Sequence, residues 1–206
     1  GLDFTRTLRL DYVFTGTDRT QEIALARLSS LEGWAGRRVN MDSTALAGNG
    51  RIEMRNASGK LLYVNTFPTR RSSDLPVNQA TVEATRVRKS FENVFLLPMP
   101  EGKVSVTVRL YDVMGKAGAE LTHTVDPGDI LIRPVSNPRI PFMYVWKSGE
   151  PSEKIDVAIV AEGYTSGERG KFFSDARSAV ESFWNHEPFA SMKDRFNFVA
   201  VAPASR

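Results

Sequence analysis

Two hydrophobic periods divide this chain, and the change between them limits what it can fold into. Near the start, Leu8, Leu10, Tyr12 and Phe14 alternate with Thr7, Arg9, Asp11 and Val13, the period of a half-buried strand. Val104, Val106, Val108 and Leu110 repeat the alternation against Ser105, Thr107, Arg109 and Tyr111. After residue 154 the pattern changes. Ile155 to Ala161 is a nearly continuous apolar run, expected of a strand covered on both faces. It is followed by Phe172, Phe173, Ala176, Ala179, Val180 and Phe183 at helical spacing. Arg195 to Ala202 then returns to strand-like residues.

The chain is therefore expected to hold two domains. Residues 1–142 read as an antiparallel β-sandwich, 143–153 as a linker, and 154–206 as an incomplete α/β segment of the βαβ kind with parallel strands. Pro134, Pro138, Pro141 and Pro151, with Ser148-Gly149, mark the connector. In the first part, Ala57-Ser58-Gly59 joins two strand-like runs as a hairpin. Asp126-Pro127-Gly128-Asp129 turns into an expected strand at Ile130 to Arg133, and Met114 to Ala119 reads as a turn. Gln21 to Leu31 is too irregular for more than a small helix or a crossover, and Glu83 to Phe91 reads as helical or mixed. Arg206 stands just behind a strand-like run, as expected of a piece of a longer protein.

Phe67 to Leu75, Phe-Pro-Thr-Arg-Arg-Ser-Ser-Asp-Leu, fits neither flank. Its codons can be written as a common short-read sequencing adapter. The segment is expected to be an assembly artefact, exposed and poorly packed, and Arg70-Arg71 carries no function.

Composition excludes several functions. The 206 residues carry 27 Lys and Arg against 24 Asp and Glu, a net of +3 and too little for a nucleic-acid footprint. No apolar run reaches the ~18 residues of a membrane-spanning helix. There is no Cys, and His123 and His186 are the only histidines. Neither thiolate nor His-rich zinc sites can be assembled from these residues.

The strand-to-helix turn admits several readings. Gly163-Tyr164-Thr165-Ser166-Gly167 has the outline of a nucleophile elbow, but Thr165 fills the serine slot. Gly163, Gly167 and Gly170 do not match a dinucleotide fingerprint. Thr165 and Glu168 have capping-box spacing, and Glu162 and Tyr164 fall where ligands of open α/β sheets gather. His186-Glu187-Pro188 begins like HExxH but has no second His. Gly33-Trp34-Ala35-Gly36-Arg37-Arg38 reads as a loop plugging one end of the sandwich rather than a ligand-binding tip. His123 reads as a surface or hydrogen-bonded residue. No catalytic, cofactor-binding or metal-ligating residue is assigned.

Lys154-Ile155-Asp156-Val157-Ala158-Ile159-Val160-Ala161-Glu162-Gly163-Tyr164-Thr165, the expected helix at Phe172 to Ala176, His186-Glu187-Pro188-Phe189 and Lys193-Asp194-Arg195-Phe196-Asn197 together resemble the opening of an IgA-peptidase-like zinc metallopeptidase domain, family sixty-four of the metallopeptidases. Residues 33–38, Ser90-Phe91-Glu92-Asn93, Phe95-Leu96-Leu97-Pro98 and Asp129 to Arg133 resemble that family's β-rich N-terminal domain. The resemblance implies a secreted or cell-envelope peptidase acting on protein or glycoprotein. Its zinc would be held by an HExxH helix absent from this chain, which would itself bind no zinc. An alternative of another class is a non-catalytic β-sandwich module that binds glycans or protein surfaces.

Overall fold

The alternation at the start of the chain becomes β1, Leu2–Gly16, in the computed structural model, where Leu8, Leu10 and Tyr12 are completely buried. The structure describes residues 1–17, 20–44, 48–68, 88–111, 115–136 and 140–205. Arg70-Arg71 and the rest of 69–75, Glu83 to Val87, Met114 and Pro138 lie outside them. The chain divides into two compact units, Gly1–Trp34 with Arg38–Ser136, and Ala35–Arg37 with Asn137–Arg206.

The first unit is β-rich. Its strands are β1, β2 (Gln21–Glu32), β3 (Gly50–Asn56), β4 (Leu61–Phe67), β5 (Lys89–Pro100), β6 (Val104–Tyr111), β7 (Ala117–Val125) and the two-residue β8 (Arg133–Pro134). They form two four-stranded sheets, in the orders β5-β1-β2-β8 and β4-β3-β6-β7. All pairings are antiparallel except β2 with β8. Leu8, Leu10, Tyr12, Leu97 and Met99 of one sheet share an apolar cluster with Ile52, Met54, Tyr63, Val106 and Val108 of the other. Gly59, at a φ of 81°, closes the β3–β4 hairpin while the Asn56 carboxamide accepts from the Ser58 and Lys60 amides.

Several sequence expectations fail in this unit. Lys89 to Phe91, read as helical or mixed, open β5, and Ala117 to Ala119, read as turn, open β7. Residues 21–32 form a full strand, paired along its length with β1. Ile130 and Leu131 are not a strand. Asp129 captures the Leu131 amide with its carboxylate (2.9 Å) and the Ile132 amide with its carbonyl (3.0 Å), so the backbone turns and both apolar side chains face solvent. Phe67 does not behave as foreign sequence. It pairs with Gly50, and its ring lies 4.5 Å from Phe95 and 6.2 Å from Phe14. A Cβ at Gly50 would run into that ring.

The second unit holds β9 (Phe142–Trp146), β10 (Ile155–Val160), α1 (Arg169–Phe183) and β11 (Phe196–Val201). The sheet order is β10-β11-β9, with β10 parallel and β9 antiparallel to β11. Residues 143–146, read from sequence as connector, thus belong to a strand. Phe172, Ala176 and Val180 of α1 are buried against Phe198, Ala200 and their neighbours, whereas Ala179 points to solvent. Strand β10 is not covered on both faces. Val157 and Ile159 pack on the helix side, but Val160 is 59% exposed because β10 is an edge strand with a helix on one face only.

Candidate functional site

Parallel strands direct their carboxyl ends to the same edge, so the loop after β10 is the first place to look for chemistry. Gly163 turns the chain there at a φ of 78°, and its amide donates to Ser205 Oγ at 2.9 Å. The Ser205 amide returns a bond to the Tyr164 carbonyl (2.9 Å). The Thr165 amide donates to Glu168 Oε2 at 3.0 Å, fixing the turn that leads into α1. One helical turn later, Lys171 and Asp175 sit at i and i+4, so their side chains meet above Tyr164.

The resulting cluster is exposed and internally satisfied. The Tyr164 hydroxyl donates to Asp175 Oδ2 at 2.9 Å, Lys171 Nζ lies 2.5 Å from the same oxygen, and the ammonium sits 5.5 Å from the Tyr164 ring centroid. The hydrogen bond to Asp175 raises the pKa of Tyr164, which keeps the phenol protonated. The hydrogen bond from Lys171, then that from Tyr164, lowers Asp175, and the bond to Asp175 raises Lys171. The Thr165 amide lowers Glu168. Every shift stabilises the resting charge state, the reverse of what a general base or a nucleophile at neutral pH requires. Glu162 is exposed at the rim of this cluster.

The remaining sequence candidates are dispersed. Thr165 Oγ1 donates to the Glu168 carboxylate (2.8 Å), and His186 lies past the opposite end of the 15-residue α1, so no nucleophile elbow with a histidine base is assembled. Glu187 accepts from the Ser191 hydroxyl (2.7 Å) and amide (3.3 Å), which orders the turn after the helix. Trp34 is buried in the first unit, edge-on to Tyr63 at 6.0 Å, in keeping with a plug rather than a binding tip. His123 is hydrogen-bonded, its Nε2 lying 2.6 Å from the Tyr12 hydroxyl. Among the described residues, no three His, Asp or Glu side chains converge as metal ligands would.

Two polar centres escaped the sequence reading. Glu53, 5% exposed, is held by Arg51 (2.6 Å), Arg55 (3.0 Å) and Arg109 (3.5 Å). Burial alone would raise its pKa, but the Arg55 and Arg51 guanidiniums outweigh that and hold it low. The signal was present as Arg51, Glu53 and Arg55 at alternate positions of one strand face. Asn197, fully buried, accepts from the Ser148 (2.8 Å) and Gly149 (3.3 Å) amides and donates to Gly149 O (3.1 Å) and Asp156 Oδ1 (2.8 Å). A lone Asn between Phe196 and Phe198 was its trace. Both centres are saturated and hold the fold.

Comparison with known families gives two matches, in chain order. Residues 2–122 match the family model described as Peptidase M64 N-terminus, and residues 143–206 match the one described as IgA Peptidase M64. No curated protein matches the chain.

Proposed function

Because the chain belongs to the M64 peptidase family, we propose that it is the amino-terminal part of a zinc-dependent peptidase whose metal-binding motif lies outside these residues. The observation that carries this reading is the order of the two matches, an N-terminal region followed by the first stretch of the peptidase region. A second observation supports it. The parallel pair β10–β11 has a helix on one face, while Phe142, Tyr144 and Val160 leave an apolar surface on the unit. Parallel sheets are found almost only with both faces covered. We read the first unit as a β-sandwich and β10–α1–β11, with β9 at the sheet edge, as the opening of the peptidase domain, with the domain limit near residue 142.

The residues present do not fit a zinc ion. His123 is engaged by Tyr12, His186 stands exposed after α1, and among the described residues no carboxylate pair joins either of them. No step of hydrolysis is therefore derived through a metal on this chain. Within the proposal, the substrate is protein or glycoprotein and the enzyme works outside the cell or in its envelope. No helix among the described residues is long and apolar enough to cross a membrane.

The test compares the 206-residue chain with a version extended along its gene, measuring bound zinc and casein hydrolysis on both. The extended protein is expected to retain zinc and cleave casein, and the shorter chain to do neither. Chelator-sensitive cleavage by the 206-residue chain alone would overturn the assignment.

A further inference from the structure

Tyr12 stands on β1 of one sheet and His123 on β7 of the other, and their side chains meet across the core of the first unit. The Tyr12 side chain is completely buried, its hydroxyl 2.6 Å from His123 Nε2, with the two rings 5.7 Å apart. His123 Nδ1 is buried and has no hydrogen-bond partner. We propose that the Tyr12–His123 pair is an acid-sensitive latch between the two sheets of the first unit.

Hydrogen counting supplies the reason. In the neutral pair there is one ring N–H, one phenol O–H, and an acceptor on each partner, so a single hydrogen bond closes without a net charge. Protonation places a hydrogen on both ring nitrogens. Nε2–H then donates to the Tyr12 oxygen, which leaves the buried phenol hydrogen without an acceptor and puts a charge on a half-buried ring against the core. Among the described residues, the surroundings offer no counter-charge. Val106 of β6 lies directly across from His123, Phe95 of β5 packs edge-on to Tyr12, and β2 contributes Ile23, Leu25 and Leu28 to the cluster.

The charged residues of these strands are engaged elsewhere or exposed. Arg9 pairs with Asp11 on β1, Glu22 of β2 with Arg88, and Arg109 of β6 with Glu120 of β7 and with Glu53. Arg27 and Glu32 of β2 and Glu92 of β5 are exposed, and Lys89 stands at the β5 end opposite Gly16. Tyr12 is the titratable group that faces the ring. Burial lowers the His123 pKa, opposed only by the backbone of Thr124.

The sign follows from linkage. The folded state binds this proton less readily than the unfolded chain, so the stability of the unit falls as pH drops below the ordinary histidine value. The observable consequence is separation of β1 from β7 in mild acid.

The full chain is examined by hydrogen exchange, corrected for intrinsic rates, at pH 7.5 and pH 5.0, alongside NMR titration of the His123 ring. Protection of β1 and β7 peptides is expected to fall at least ~3-fold at the lower pH. The loss should be absent in His123→Gln, whose amide does not titrate, and unchanged in His186→Gln. The His123 ring should take up its proton together with that loss. Equal protection at both values, an unaltered loss in His123→Gln, or ring protonation with β1 and β7 still protected would each overturn the latch.

Discussion

In the first unit two four-stranded sheets share one apolar core, and Leu8, Tyr12, Met54 and Val106 have no exposed surface. In the second, three strands carry a helix on one face, and the other side retains Phe142 at 63% and Val160 at 59% exposure. Both units contain buried polar anchors, but of different kinds. Glu53 sits among three arginines, a charged network. Asn197 makes four neutral or partly charged hydrogen bonds that tie β11 to the Ser148-Gly149 turn and to β10. Closure of a core and saturation of polar groups are therefore separate achievements. The second unit has a saturated buried anchor at Asn197 without a closed core.

The largest test of that contrast removes an aromatic from the helix side of the second sheet. Phe198 touches Phe183 and Trp184. Phe198→Ala is expected to destabilise the second unit by about 3–5 kcal/mol, read as lost exchange protection in α1 and β11. Next is Asn197→Ala, which leaves two amides and a carboxylate without their partner. It should cost about 2–3 kcal/mol, again in the second unit's peptides. Glu53→Gln should cost the first unit roughly 1–3 kcal/mol. The Glu53 contribution has a pH signature. Because its folded-state pKa is lowered, the stabilisation is present above the ordinary glutamate value and is lost as pH falls through the folded one. Denaturation midpoints of wild type and Glu53→Gln should therefore converge in acid. The smallest effect is expected on the uncovered face. Phe142→Ser should change stability by no more than ~0.5 kcal/mol while reducing dye binding and aggregation. A large loss there would mean that the face is already packed and the contrast is false.

Legibility from sequence followed the regularity of each element. β1 and β6 were readable from their alternation, and the β3–β4 hairpin from the Ala57-Ser58-Gly59 turn between two strand-like runs. β2 was not, because its pairing with β1 slips between Asp11 and Tyr12, matching Arg27 and Leu25. That bulge flips the inward parity, so Ile23 and Leu25 are followed inward by Leu28, and the run looks aperiodic. Ile130 to Ile132 looked like strand because the side chain of Asp129 competes for backbone amides in a way hydrophobicity does not record. Around β10, composition indicated a doubly covered strand, but an apolar sequence states what a face can bury and not whether anything is there. At the candidate site, position at the strand ends was legible. The locking of Tyr164, Lys171 and Asp175 into one satisfied set depended on i,i+4 geometry and a tyrosine arriving from the preceding turn.

The contact between Phe67 and Phe95 also matters to anyone rewriting the gene. It places the end of β4 beside the middle of β5, although the two strands belong to different sheets. From Phe95 back to Lys89 is six residues of strand, roughly 20 Å at the usual rise. A connecting peptide of about eight to ten residues can span that distance, and further residues would add only a slowly growing entropic cost. The aromatic at 67 and the glycine at 50 are therefore constrained far more tightly than the length of the peptide that joins the two strands.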